Sequence, residues 1–498
     1  MKYRVLLIAV IVISIFLPLG IVPLFDLDEG AFSEATREML ESGNYITTYL
    51  NGNLRFDKPI LIYWLQALSV KIFGLNEFAL RLPSAIAGAL WILATFEFTK
   101  RYFGEVRAII ASIIMATALQ ITIITKAAIA DSLLNLFIAV SMFAIWLYLD
   151  TKKEKFLLFA FASIALGTLT KGPVAIMIPL VSTFIYLAIK QEFKLFFKSI
   201  FNYKGILIFL IIAAPWYILE YLDQGQKFID GFILKHNLKR FSSTFESHGG
   251  SIFYYIPVLI LGFMPFSGLL FRVFANIKSI IKSDLEIFLF IWFAFVFIFF
   301  SLSGTKLPHY VIYGYTPLFI LIGAYFKDFK FSIILPLILL FILALLPNFI
   351  NFIPAKNAYI KEVLEGAKIV FNLDYQIYLT IAMALIVIAF GIKNLIYRVA
   401  FVGVIFASAI NFVIIPTYAK VAQEPIKEAA LLARAKGINV IMYRFNKPSF
   451  LVYLGKKSLK GQPKSGDFVF TKASALSDFK NYKILYKKFG VYLIKVGK

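Results

Sequence analysis

Apolar runs of membrane-crossing length recur along this chain, separated by short polar connections. A helix needs about 20 apolar residues to cross a bilayer. Runs of that kind are predicted at 5–25, 83–103, 108–128, 129–149, 156–170, 173–189, 205–221, 253–274, 285–303, 310–326, 331–350, 375–392 and 399–417. They make an all-α polytopic membrane protein of about 13 transmembrane helices. The first run lacks a small-x-small cleavage site and is expected to be retained as a helix. The shorter run 60–73 reads as an interfacial or re-entrant helix. From residue 419 the pattern changes. Residues 424–435 read as an amphipathic helix opened by Pro425 and stopped by Gly437. Short strands are predicted at 438–443, 450–454, 467–471 and 491–496. The expected division is a membrane domain over 1–418, with a polar first outer loop at 26–82, and a small C-terminal α/β domain over 419–498.

Charge orients the spans. Lysines and arginines mark cytoplasmic loops, and alternate connections here are basic, among them Lys100, Arg101 and Arg107, Lys152 and Lys153, Arg272 and Lys278, and Lys327. The N-terminus is therefore expected in the cytoplasm. The long polar loops and the C-terminal domain then share the outer, periplasmic face of the plasma (inner) membrane. Hydrophobic residues make up 60% of the 498 positions, and the net charge is +23. The excess of positive charge is read as contact with anionic lipid, not with nucleic acid. The absence of cysteine excludes disulfides, thiolate metal sites and a cysteine nucleophile, and three histidines are too few for an all-imidazole site.

Four polar clusters fall on the outer face. Asp28-Glu29 follows the first span, where paired carboxylates take a proton, hold a divalent cation or cap the helix that follows. Arg55-Phe56-Asp57-Lys58 places two cations where a lipid phosphate would lie, with Asp57 orienting Lys58 or ligating a metal. Arg240 and His248 precede the aromatic belt at Tyr254. Lys306 and Tyr310 stand at the mouth of another span.

Together with Arg37, Tyr63, Trp64 and Arg81-Leu82-Pro83-Ser84, these residues resemble the first outer loop of the GT-C glycosyltransferases. The likeness is to the lipid A aminoarabinose transferases and their kin, the protein O-mannosyltransferases. It implies transfer of a sugar from a polyprenyl-phosphate donor to a lipid (lipid A-like), glycan or protein acceptor at the periplasmic face. Asp28 would be the catalytic carboxylate, beside Glu29. Arg37, Lys58, Arg240, Lys306 and Tyr310 would hold the donor phosphate, and Arg55, Tyr63, Arg81 and Tyr254 would line the cavity. A divalent metal would fall to Asp57 and His248. Asp57 stands where those enzymes typically carry glutamate, one methylene longer, and His236-Asn237 where they tend to carry Glu-His. The physics suits the resemblance, because a departing lipid phosphate needs cations and not a Gly-rich nucleotide loop. The competing class is a polytopic transporter or flippase of a lipid-linked or anionic substrate. It would set its charges in mid-span, whereas here they gather in outer loops.

Overall fold

A computed structural model describes residues 2–232, 234, 250–327 and 330–497. Among them, seven helices are long and apolar enough to cross a membrane: Glu77–Phe103, Asp131–Thr151, Tyr203–Gln224, Asp284–Leu302, Ile334–Phe352, Leu373–Gly391 and Leu395–Ala422. The pair Tyr255–Gly262 and Ser267–Ala275, bent by 116°, makes an eighth if taken as one span.

The count of about 13 is not confirmed, and the reason lies in breaks that hydropathy does not register. Every predicted apolar run contains helix, but several are short or interrupted. Run 108–128 divides at Ala118 into Glu105–Thr117 and Leu119–Ile124, because Ala118 is extended. The Leu119 amide freed there donates to the Met264 carbonyl of another segment, at 2.8 Å. Pro265, which has no amide hydrogen, sits in the bend of the 116° pair. The run from 310 opens as the 3-10 turn Pro308–Gly314 before the helix Tyr315–Ala324.

Where helices start, the sequence supplies caps. The Asn76, Asn202 and Ser283 side chains accept from the amides of Ala79, Gly205 and Glu286. In the first outer loop, the helix Asp28–Ser42 packs on Leu61–Phe73, which in turn packs on Glu77–Phe103.

The C-terminal region holds a four-stranded mixed sheet in the order Val440–Met442, Phe468–Lys472, Val491–Val496, Tyr482–Lys488, the first pair parallel and the others antiparallel. Three of its strands match the expected ones, and Tyr482–Lys488 was not anticipated. The strand expected at 450–454 is instead the helix Pro448–Leu454, opened by its proline and closed by Gly455 at φ +74°. Its burial explains the misreading: all seven residues are buried, so no alternation betrays which structure they adopt.

This helix docks on the first outer loop. The Ser449 amide and hydroxyl donate to the Asp26 carboxylate at 2.9 and 2.5 Å. The Tyr453 hydroxyl accepts from the Leu24 amide at 2.7 Å and donates to Glu77 at 3.0 Å. Gly30 permits the approach, since a Cβ there would lie 2.5 Å from the Ser449 nitrogen. Burial pushes the Asp26 carboxyl above its usual range, against the pull of the two Ser449 hydrogen bonds.

Candidate active site

Asp28 and Glu29 are neighbours with opposite surroundings. Asp28 is the first residue of its helix and is exposed. Glu29 is 5% exposed and fully engaged. Its oxygens accept from Arg81 Nε and Nη2 at 2.9 and 2.7 Å, and from the Phe25 and Ala128 amides at 2.9 and 2.7 Å. The remaining Arg81 donors reach the carbonyls of Leu19, Val22 and Pro23. Glu29 and Arg81 thus form a buried bracket that fixes the chain on either side of Asp28. Both also line a small cavity of about 160 Å³ with Lys126 and Asn411.

Arg37 is also placed away from the cluster. Its guanidinium makes a bidentate pair with Glu34, at 2.8 and 2.7 Å, and reaches Glu41 at 3.0 Å. A longer contact of 3.4 Å to the Gly455 carbonyl ties it to the C-terminal region. Its donors are thus engaged by Glu34, Glu41 and the Gly455 carbonyl.

The second cluster does converge on Asp28. Arg55 is buried, pairs with Asp57 at 3.4 Å and lies 5.1 Å over the Phe32 ring, on which Tyr63 stacks. Asp28, Asp57 and Tyr63 are its electrostatic neighbours. Arg55 Nε is buried without a hydrogen-bond acceptor among the described residues, and the buried Tyr63 hydroxyl interacts with the Arg55 guanidinium. Lys58 donates to the Asp57 carbonyl at 2.8 Å.

A third group, not singled out among the candidates from sequence, adjoins these. Asp131 Oδ1 accepts from Lys171 at 2.5 Å and from the Tyr313 hydroxyl at 2.7 Å, and His309 Nε2 lies 4.0 Å away. Lys171 sits over the rings of Tyr310 and Tyr313. Asp28 and Lys58 both act electrostatically on His309, which joins this group to the first loop. Burial pulls the His309 imidazole down to about 4; the Asp131 carboxylate opposes this and Lys171 adds to it. The sequence signal available for these residues was their position: Asp131 opens the spanning helix Asp131–Thr151, and Lys171 closes the apolar helix Glu154–Lys171.

Tyr254 and Lys306 flank Gly250, and Lys306 donates to the Ser303 carbonyl at 2.7 Å. The neighbouring Tyr255 hydroxyl donates to the Leu307 carbonyl and is an electrostatic neighbour of Tyr310. Arg240 and His248 lie outside the described residues. Among the described residues no group of three or more His, Cys, Asp or Glu side chains is arranged to hold a metal ion.

Comparison with known proteins agrees with this geometry. Residues 57–219 match the dolichyl-phosphate-mannose-protein mannosyltransferase family. An uncharacterized protein of Aquifex aeolicus is 27% identical over 93% of this chain and 91% of its own length. An undecaprenyl phosphate-α-4-amino-4-deoxy-L-arabinose arabinosyl transferase of Proteus mirabilis is 31% identical over 64% of this chain. The chain spans 58% of that relative's length, under two thirds. The crystal structure of ArnT from Cupriavidus metallidurans bound to undecaprenyl phosphate superposes with a TM-score of 0.85 at 19% identity, covering 99% of this chain and 98% of that one.

The likeness to that crystal structure, at 19% identity, gives this chain an ArnT-like GT-C fold.

Proposed function

We propose that this protein is an integral membrane glycosyltransferase that moves a sugar from a polyprenyl-phosphate donor to an acceptor hydroxyl at the periplasmic face. In this reading residues 1–418 are catalytic and residues 419–498 hold the first outer loop in place. The N-terminus lies in the cytoplasm, as the alternation of basic loops supports. The observation that carries the reading is a buried donor with no acceptor among the described residues, Arg55 Nε, in a guanidinium on which exposed Asp28 acts electrostatically. A protein rarely buries such a donor unless something else satisfies it. The names of the relatives point to a lipid-phosphate-linked sugar as that something.

The chemistry follows from the charges. The bond from the anomeric carbon to the phosphate oxygen breaks, and its electron pair leaves with the lipid phosphate. A bond forms from the acceptor oxygen to the same carbon, and the acceptor's proton passes to the Asp28 carboxylate. Lys58, Arg55 and the Lys306–Tyr310 wall stabilise the departing phosphate, and Arg240 is assigned with them from sequence. Glu29 and Arg81 position Asp28 through the backbone. A lipid A-like acceptor is the one the resemblance of the first-loop residues favours. An alternating-access transporter is not favoured, because the polar clusters described above stand at the ends of spans and in loops.

Asp28→Asn tests the central assignment, since asparagine keeps the size and the helix-opening character but cannot take the proton. Turnover of a labelled polyprenyl-phosphate sugar in membranes should fall by about 10²–10⁴-fold with folding unchanged. Full turnover in this variant would overturn the assignment. A metal reading rests on Asp57 and His248 alone, and chelation tests it: turnover that survives exhaustive chelator treatment removes the metal from the scheme.

A further inference from the structure

The helix Asp284–Leu302 runs toward Lys306 and the outer cluster at its C-terminal end. Its first turn, about 28 Å away at 1.5 Å per residue, borders a different cavity. There the ends of four segments enclose a recess of about 880 Å³, lined among others by Arg107, Arg272, Glu286, Tyr325 and Lys327. Nothing in glycosyl transfer requires it.

Its charge is unbalanced. Among the described residues three cations face the recess and Glu286 is the carboxylate lining it, already accepting a hydrogen bond from the Tyr325 hydroxyl. Among the described residues neither Arg107, Arg272 nor Lys327 has a salt-bridge partner. Among the described residues Arg272 Nη1 is buried with no hydrogen-bond acceptor. A guanidinium nitrogen withdrawn from water without an acceptor is costly, and guanidinium geometry matches phosphate oxygens. The positive-inside bias accounts for basic residues on this face but not for gathering them around a cavity.

We propose that this recess binds one phosphate-bearing anion, with Arg107, Arg272 and Lys327 as its donors. The volume exceeds what an inorganic phosphate fills. The rings of Phe103 and Phe326 line it beside the cations. A phosphodiester with apolar chains attached, the head of an anionic phospholipid, satisfies both the cations and these rings.

Delipidated full-length protein in a neutral detergent is titrated with short-chain phosphatidylglycerol, short-chain phosphatidylcholine and inorganic phosphate, and binding is read by thermophoresis. Saturable binding of phosphatidylglycerol but not phosphatidylcholine is expected. Arg272→Gln should weaken it at least about tenfold, and Arg272→Lys should recover part of the loss. Lys278→Gln removes the same charge from the same face outside the recess and should leave binding unchanged. Inorganic phosphate binding as tightly as the lipid identifies free phosphate as the source and keeps the site. Should Arg272→Gln not fold, Arg107→Gln on another wall gives the same reading. Equal binding of the two lipids without phosphate binding, or an equal loss in Lys278→Gln, overturns the proposal.

Discussion

Two of the buried acid–base pairs among the described residues, Glu29–Arg81 and Asp131–Lys171, differ in who shares them. Glu29 and Arg81 are closed by backbone: amides of Phe25 and Ala128 on one side, carbonyls of Leu19, Val22 and Pro23 on the other. Asp131 and Lys171 are shared with side chains that can exchange protons, the Tyr313 hydroxyl and the nearby His309 imidazole. Backbone donors do not titrate, so the first pair behaves as a fixed brace. Phenol and imidazole do, so the second pair can respond to what enters the site. Burial and charge are alike in the two; the partners separate structure from chemistry.

The largest effect should come from breaking the brace. Arg81→Met leaves the Glu29 carboxylate buried with only its two amide donors, and loss of one member of a buried pair costs about 3–5 kcal/mol. Denaturant unfolding in detergent should show that loss. If the variant keeps wild-type stability but loses turnover, the pair belongs to the chemistry and the contrast collapses.

A middle-sized effect is expected at the first-loop cation. Lys58→Ala removes one charge-assisted contact to the donor phosphate, about 1.5–3 kcal/mol in donor binding, with little change in unfolding. Unchanged donor affinity would take Lys58 out of the phosphate site.

The smallest and most diagnostic effect concerns pH. The His309 imidazole titrates near 4 in the fold against an ordinary value of 6.5, so between those values the unfolded chain binds more protons. Stability therefore falls as pH drops from 6.5 towards 4, by no more than about 1.4 kcal/mol per pH unit, and His309→Gln should flatten that slope. Lys171→Met removes a charge that helps hold the imidazole neutral and should raise its titration point, measurable by histidine-labelled NMR with only three histidines in the chain. An unmoved titration point would show that Lys171 and His309 do not share Asp131.

Much of this was legible in the chain itself. Hydropathy alone located the apolar helices, because a bilayer leaves the backbone no other way to satisfy its amides and carbonyls. Asp28, Arg55, Asp57 and Lys58 stood out because charge beside a span needs a reason, and the amphipathic helix Glu424–Ala435 announced itself by its proline and glycine. Tertiary structure decided which partners each charge meets. Glu29, Arg37 and Arg81 carry charges of the same signs as Asp28, Arg55 and Lys58, yet their partners come from residues as distant as Ala128 and Gly455. Asp131, Lys171 and Tyr313 are separated by 40 and 142 positions and meet only because three helical segments end at one place. Periodicity also could not tell the buried helix Pro448–Leu454 from a strand, nor foresee the break at Ala118. Local pattern reports what a segment must hide from water or lipid; which partner it finds there depends on contacts across hundreds of residues.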